Sequence, residues 1–162
     1  MSNTDTDVAA IDQVDVRGPR FAAWLTTFVL AAVIVLSAVS VPAAAVLLAA
    51  QAVAFAIGAT GGPRRHPYGL LYAKLVAPRL GAVTEREPVP PLRFAQLVGL
   101  VFAVIGVVGF AAGFPVVGVV ATAFALFAAF LNAASGICLG CKLYPLFARP
   151  ASRLRQHTAS SR

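Results

Sequence analysis

The sequence predicts an all-α membrane protein: four transmembrane helices in two tight hairpins, with a short interfacial amphipathic helix between spans 2 and 3. Three observations carry this. Hydrophobic residues make up 59% of the 162 positions and charged ones 12%, against about 45–50% and 25% in soluble domains. The apolar residues gather into four long runs free of Asp, Glu, Lys and Arg. All 13 Lys and Arg fall outside those runs.

Residues 1–20 are polar, with Asp5, Asp7, Asp12 and Asp15 ahead of Arg17 and Arg20, and read as a disordered tail. The membrane domain follows over 21–147. Its first span, 21–41, supplies the roughly 20 apolar residues that a helix needs to cross a bilayer. Thr26, Thr27 and Ser37 within it can return their hydroxyls to carbonyls one turn back. An acidic leader and a second apolar run directly behind it favour a retained span over a cleaved signal peptide. Ser40-Val41-Pro42 reads as a tight turn, because a proline suits the first helical position. The second span, 43–59, has one strongly polar side chain, Gln51, expected to bond a neighbouring helix.

Gly61-Gly62-Pro63 ends that span. Tyr68, Leu71, Tyr72 and Leu75 then fall at i, i+3, i+4 and i+7, the spacing of one helical face. Bracketed by Pro67 and Pro78, this reads as a helix lying in the headgroup region. Glu85 to Pro91 reads as a proline-stiffened extended connector. The third span, 94–114, contains Gly109 and Gly113 at G-x-x-x-G spacing, expected to serve packing inside the bundle rather than a dimer contact. Phe114-Pro115 forms the second tight turn, and the fourth span covers 116–137. A basic tail, 148–162, completes the chain.

The two hairpin turns carry no Lys or Arg; the N-terminal flank, central segment and C-terminal tail carry 2, 6 and 5, which is all 13. Lys and Arg mark the cytoplasmic side. The expected location is therefore the inner (plasma) membrane, multi-pass, with both termini cytoplasmic.

Both cysteines, Cys138 and Cys141, form a C-x-x-C where the fourth span meets the tail. Cytoplasmic thiols are kept reduced, which argues against a permanent disulfide and for a redox, sulfur-handling or metal-binding pair. Reactivity depends on the backbone. A helix running through Cys141 would hold both sulfurs at its negative end and disfavour the thiolate. A helix ending at Gly136, with a new turn at Cys138, would offer them backbone N–H groups, and Lys142 would add its charge. Cys138 is the expected nucleophile and Cys141 the resolving thiol. Asn132 and Ser135, three apart, share the face that leads to them. No resident cofactor is expected. Zinc normally takes four ligands, so it would need a second ligand pair from another protomer, since His66 follows Arg64-Arg65 and His157 lies in the tail. The sequence has no G-x-S-x-G elbow, P-loop, H-E-x-x-H or dinucleotide fingerprint. Glu85 and Glu87 are surface charges.

Three stretches carry a resemblance: GPRRHPYGLLYAKLVAPRL (Gly62–Leu80), PPLRFAQLVG (Pro90–Gly99) and NAASGICLGCKLY (Asn132–Tyr144). They resemble a bacterial family of four-span membrane proteins known as a domain of unknown function, over about residues 18–147. Its R-F-A-Q start of the third span and its C-terminal G-x-C-x-G-C pattern both stand here. The resemblance implies an integral membrane protein and no particular activity. It also implies that Arg93 and Gln96, both on the pattern, face the dithiol.

The expected function is a cytoplasm-facing dithiol for redox or sulfur relay, with a thioredoxin-like or sulfurtransferase partner besides the lipid bilayer. The rival is a non-enzymatic scaffold or small transporter subunit whose cysteines are structural or metal-binding, with a homo-oligomer left open. A lipid or quinone binder between the spans is a third reading. Nucleic acid is not an expected partner: aromatic and basic residues are not interleaved.

Overall fold

The computed structural model describes residues 13–83 and 85–136. Cys138, Cys141 and Lys142, the basic tail and residues 1–12, with the roles expected of them, lie outside these residues. Four helices are long and apolar enough to cross a membrane: α1 (Arg17–Ser37), α2 (Val41–Gly61), α4 (Val89–Ala111) and α5 (Pro115–Ser135). Between α2 and α4 lies a short helix, α3 (Pro67–Leu71), continued by a π-helical turn (Tyr72–Val76) and a 3₁₀ turn (Ala77–Arg79). Two short antiparallel strands, β1 (Gln13–Asp15) and β2 (Arg86–Pro88), pair with Val14 opposite Glu87.

Each long helix buries a narrow stripe. On α1 it is Ala22, Ala23, Thr26, Thr27, Leu30 and Val33; on α2 it is Ala44, Leu48, Gln51, Ala54, Phe55 and Gly58. Around the bundle α1 packs on α2, α2 on α4, α4 on α5 and α5 on α1. Outside, the surface stays apolar: Val35, Val46 and Val116 are 70%, 71% and 73% exposed. Such a surface suits lipid and would be a liability in water. This is an integral membrane protein.

Glycine sets how closely α4 and α5 approach. A Cβ at Gly109 would come within 2.8 Å of the Gly118 backbone nitrogen, and one at Gly106 within 2.6 Å of Leu48. Gly109 is thus used inside the bundle, while Gly113 takes a left-handed φ of 80° in the turn. Hydroxyls within the spans return to carbonyls as lipid demands: Thr27 to Ala23 at 2.8 Å, Ser37 to Ile34 at 2.7 Å and Thr122 to Gly118 at 2.7 Å.

The structure departs from the sequence expectations in three places. Residues 13–20 are ordered, as β1 and the first turn of α1, because the 81–88 segment supplies partners: β2 pairs with β1, and Arg17 donates to the Gly81 and Ala82 carbonyls at 3.3 Å each. The extended connector is shorter than expected, since α4 starts at Val89. Pro90 and Pro91 fit its first turn, where N–H groups have no intrahelical partner. The tyrosine-leucine stripe divides. Tyr72 is buried while Leu71 and Leu75 are 41% and 53% exposed, and the π-helical turn beyond Leu71 takes Leu75 off the 3.6-residue period.

Candidate functional site

The α1 N-terminus, the α2 C-terminus, the α4 N-terminus and the α5 C-terminus lie at one end of the bundle, joined there by β1, β2 and α3. Every described Lys and Arg is at this end. In the other half the core is closed by Leu30, Val33, Leu48, Ala103 and Phe110. Toward the charged end the helices leave a cavity of about 560 Å³. Alanines and phenylalanines of α1, α4 and α5 form its walls, with Phe55 from α2, and His66, Gln96 and Asn132 give it a polar end.

His66 is the N-cap of α3. Its Nδ1 accepts the Tyr68 backbone N–H at 3.3 Å, satisfying one of the first-turn donors. The ring is 2% exposed and packs on Gly58 of α2, where an added Cβ would lie 2.6 Å from Cδ2. Burial lowers its pKa from 6.5 to about 4, so the imidazole is neutral near pH 7. With Nδ1 accepting, the hydrogen resides on Nε2, and that N–H has no partner. Gln96 of α4 crosses the same glycine, its Cγ 2.9 Å from the position of that added Cβ. Its Oε1 is also buried without a partner. A free donor and a free acceptor therefore flank one small residue.

Gln51 extends this polar layer. Its Oε1 accepts the Tyr68 hydroxyl at 2.7 Å, while its Nε2 has no partner. The expected bond to a neighbouring helix is made, and the neighbour is α3. Burial raises the Tyr68 pKa, keeping the phenol protonated. Tyr72 donates to Asp15 Oδ2 at 3.1 Å, and Asp15 Oδ1 accepts the Arg17 backbone N–H at 3.0 Å. Burial first, and then that carboxylate, raise the Tyr72 pKa.

At the end of α5, Gly136 takes a left-handed conformation, φ 67° and ψ 10°, and its N–H returns to the Asn132 carbonyl at 3.1 Å. The helix ends here, as glycine C-caps commonly do. Gly136 packs directly against Arg20 of α1; a side chain added at this position would collide with the guanidinium. Arg20 also faces Glu87, whose carboxyl burial pushes up and Arg20 pulls down.

Gln96 and Asn132 thus line one cavity. Arg93 does not line it: its guanidinium donates to the carbonyls of Ala59 at 2.9 Å and Thr60 at 2.5 Å, capping α2. The sequence read Arg20 as a flanking charge, His66 as a poor zinc ligand and Tyr68 as part of an interfacial stripe, and assigned none of them to this site. His66-Pro67, a polar residue ahead of a helix-starting proline, was the available signal. Among the described residues no three His, Cys, Asp or Glu side chains are grouped to hold a metal ion.

Residues 14–149 match the family described as Domain of unknown function (DUF4395). The chain belongs to the DUF4395 family. The match takes in all four long helices, the cavity and the C-x-x-C. No curated protein and no solved structure matches this DUF4395 chain.

Proposed function

We propose that this DUF4395 protein presents Cys138 and Cys141 as a redox or sulfur-relay dithiol at the cytoplasmic face of the membrane, for a thioredoxin-like or sulfurtransferase partner. The observation that carries the reading is the end of α5 at Gly136, beside the Arg20 guanidinium. Cys138 follows two residues further along the sequence. Carbonyls at the end of α5 disfavour a thiolate, whereas Arg20, and Lys142 in sequence, favour it. The clustering of all 13 Lys and Arg outside the hairpin turns supports the cytoplasmic orientation.

The reaction is thiol–disulfide exchange: a Cys138 thiolate attacks a partner disulfide, and Cys141 then resolves the mixed disulfide, leaving the partner with two thiols. Cys141→Ser blocks resolution, so incubation of the reduced variant with an oxidised thioredoxin should accumulate a covalent adduct that dithiothreitol releases. Cys138→Ser/Cys141→Ser should give none. Adduct formation no faster than with a small unstructured thiol peptide would remove the reading and favour structural or metal-binding cysteines.

A further inference from the structure

We propose that the cavity binds an isoprenoid quinone, its ring at His66 and Gln96 and its tail directed along the bundle toward lipid. The site uses neither cysteine, so it stands apart from the dithiol reading.

The shape restricts the ligand first. A volume of about 560 Å³ lies within the roughly 300–1,000 Å³ of small-molecule pockets. It suits one ring with a short length of chain rather than a two-chain phospholipid. Phe124 and Phe127 line the cavity and are also 59% and 58% exposed on the outer surface of the bundle. At these two side chains the cavity meets the lipid face, which gives a hydrophobic ligand a lateral route. Phe55 and Phe102 contribute further aromatic wall, and planar rings stack on such surfaces.

The polar end then selects the head. His66 is 2% exposed, and its Nε2–H is a donor without a partner; the Gln96 Oε1 is an acceptor without one. Buried polar groups normally find partners. A quinol hydroxyl meets both needs through one oxygen, accepting from His66 and donating to Gln96. The oxidised ring offers only a carbonyl, which satisfies His66 alone. The site therefore prefers the reduced form. Arg64 and Asp15 also border the cavity, and their opposite charges give no net attraction for an anionic head.

The test uses the full chain in nanodiscs of a single synthetic phosphatidylcholine, titrated with a short-tail benzoquinone and its quinol. Saturable one-to-one binding, tighter for the quinol, is expected. Gln96→Leu should weaken the quinol about tenfold and change the quinone less than twofold. Ala128→Phe, which fills the cavity, should remove binding of both while thermal unfolding stays cooperative. Cys138→Ser/Cys141→Ser should bind as the unaltered protein does, which separates this site from the dithiol. Three results overturn the proposal: no saturable binding, unchanged binding in Ala128→Phe, or displacement of the quinol by oleate at equal concentration.

Discussion

Burial against Gly58 holds His66 as a neutral N-cap, and protonation would place a charge in a desolvated site. Its pKa falls from 6.5 to about 4 on folding, so the unfolded chain binds more protons between those values. Stability should therefore decline as pH drops from 6.5 toward 4, by up to about 3 kcal/mol, and be insensitive to this group above 6.5. His66→Asn, which keeps a capping oxygen for the Tyr68 N–H, should flatten that part of the profile in thermal melts recorded from pH 4 to 7. At Gly136, alanine must adopt φ near 67° against a penalty of about 1–2 kcal/mol and displace Arg20. Gly136→Ala should lower stability by at least that amount. Gln51 was legible in the sequence as a lone amide within an apolar run, whereas Gln96, expected at the watery start of its span, has a buried oxygen and lines the cavity. His66 was not legible, because Arg64 and Arg65 beside it spoke only against a bound cation, and its burial arises only when α2, α3 and α4 meet at Gly58.

At the scale of elements, the four runs and their charge-free proline turns were sufficient to define α1, α2, α4 and α5. Helix starts were harder to read. Arg17 begins α1 ahead of the apolar run because Asp15 accepts its backbone N–H and β2 fixes β1 alongside, the second a contact between segments distant in sequence. The π-helical turn after Leu71 likewise has no period that a stripe could reveal. Of the Gly109–Gly113 pair that the sequence offered, only Gly109 meets α5, while Gly113 lies in the turn. Gly109→Val should lower stability by about 1–3 kcal/mol through overpacking, while size-exclusion chromatography in detergent shows an unchanged oligomeric state. A shift to smaller particles would instead assign Gly109 to a contact between copies.

For the whole molecule, the bundle joins a closed apolar half to a charged half that contains the cavity, the α5 terminus and Arg20. Membrane insertion and the two hairpins were written in composition and in the charge-free proline turns, whereas the packing of α2 on α4 and of α1 on α5 was not. The cavity was not, because it depends on which alanines face one another across α1, α4 and α5. A reporter fused after Arg162 should be active only in the cytoplasm; activity on the other side would reverse the proposed orientation. The central claim, that α5 delivers the dithiol to a cationic position, is tested most directly by the pH dependence of iodoacetamide alkylation of Cys138. In the full-length protein alkylation should persist to lower pH than it does for free cysteine, and Arg20→Gln should remove most of that difference. A profile matching free cysteine in both proteins would contradict the account.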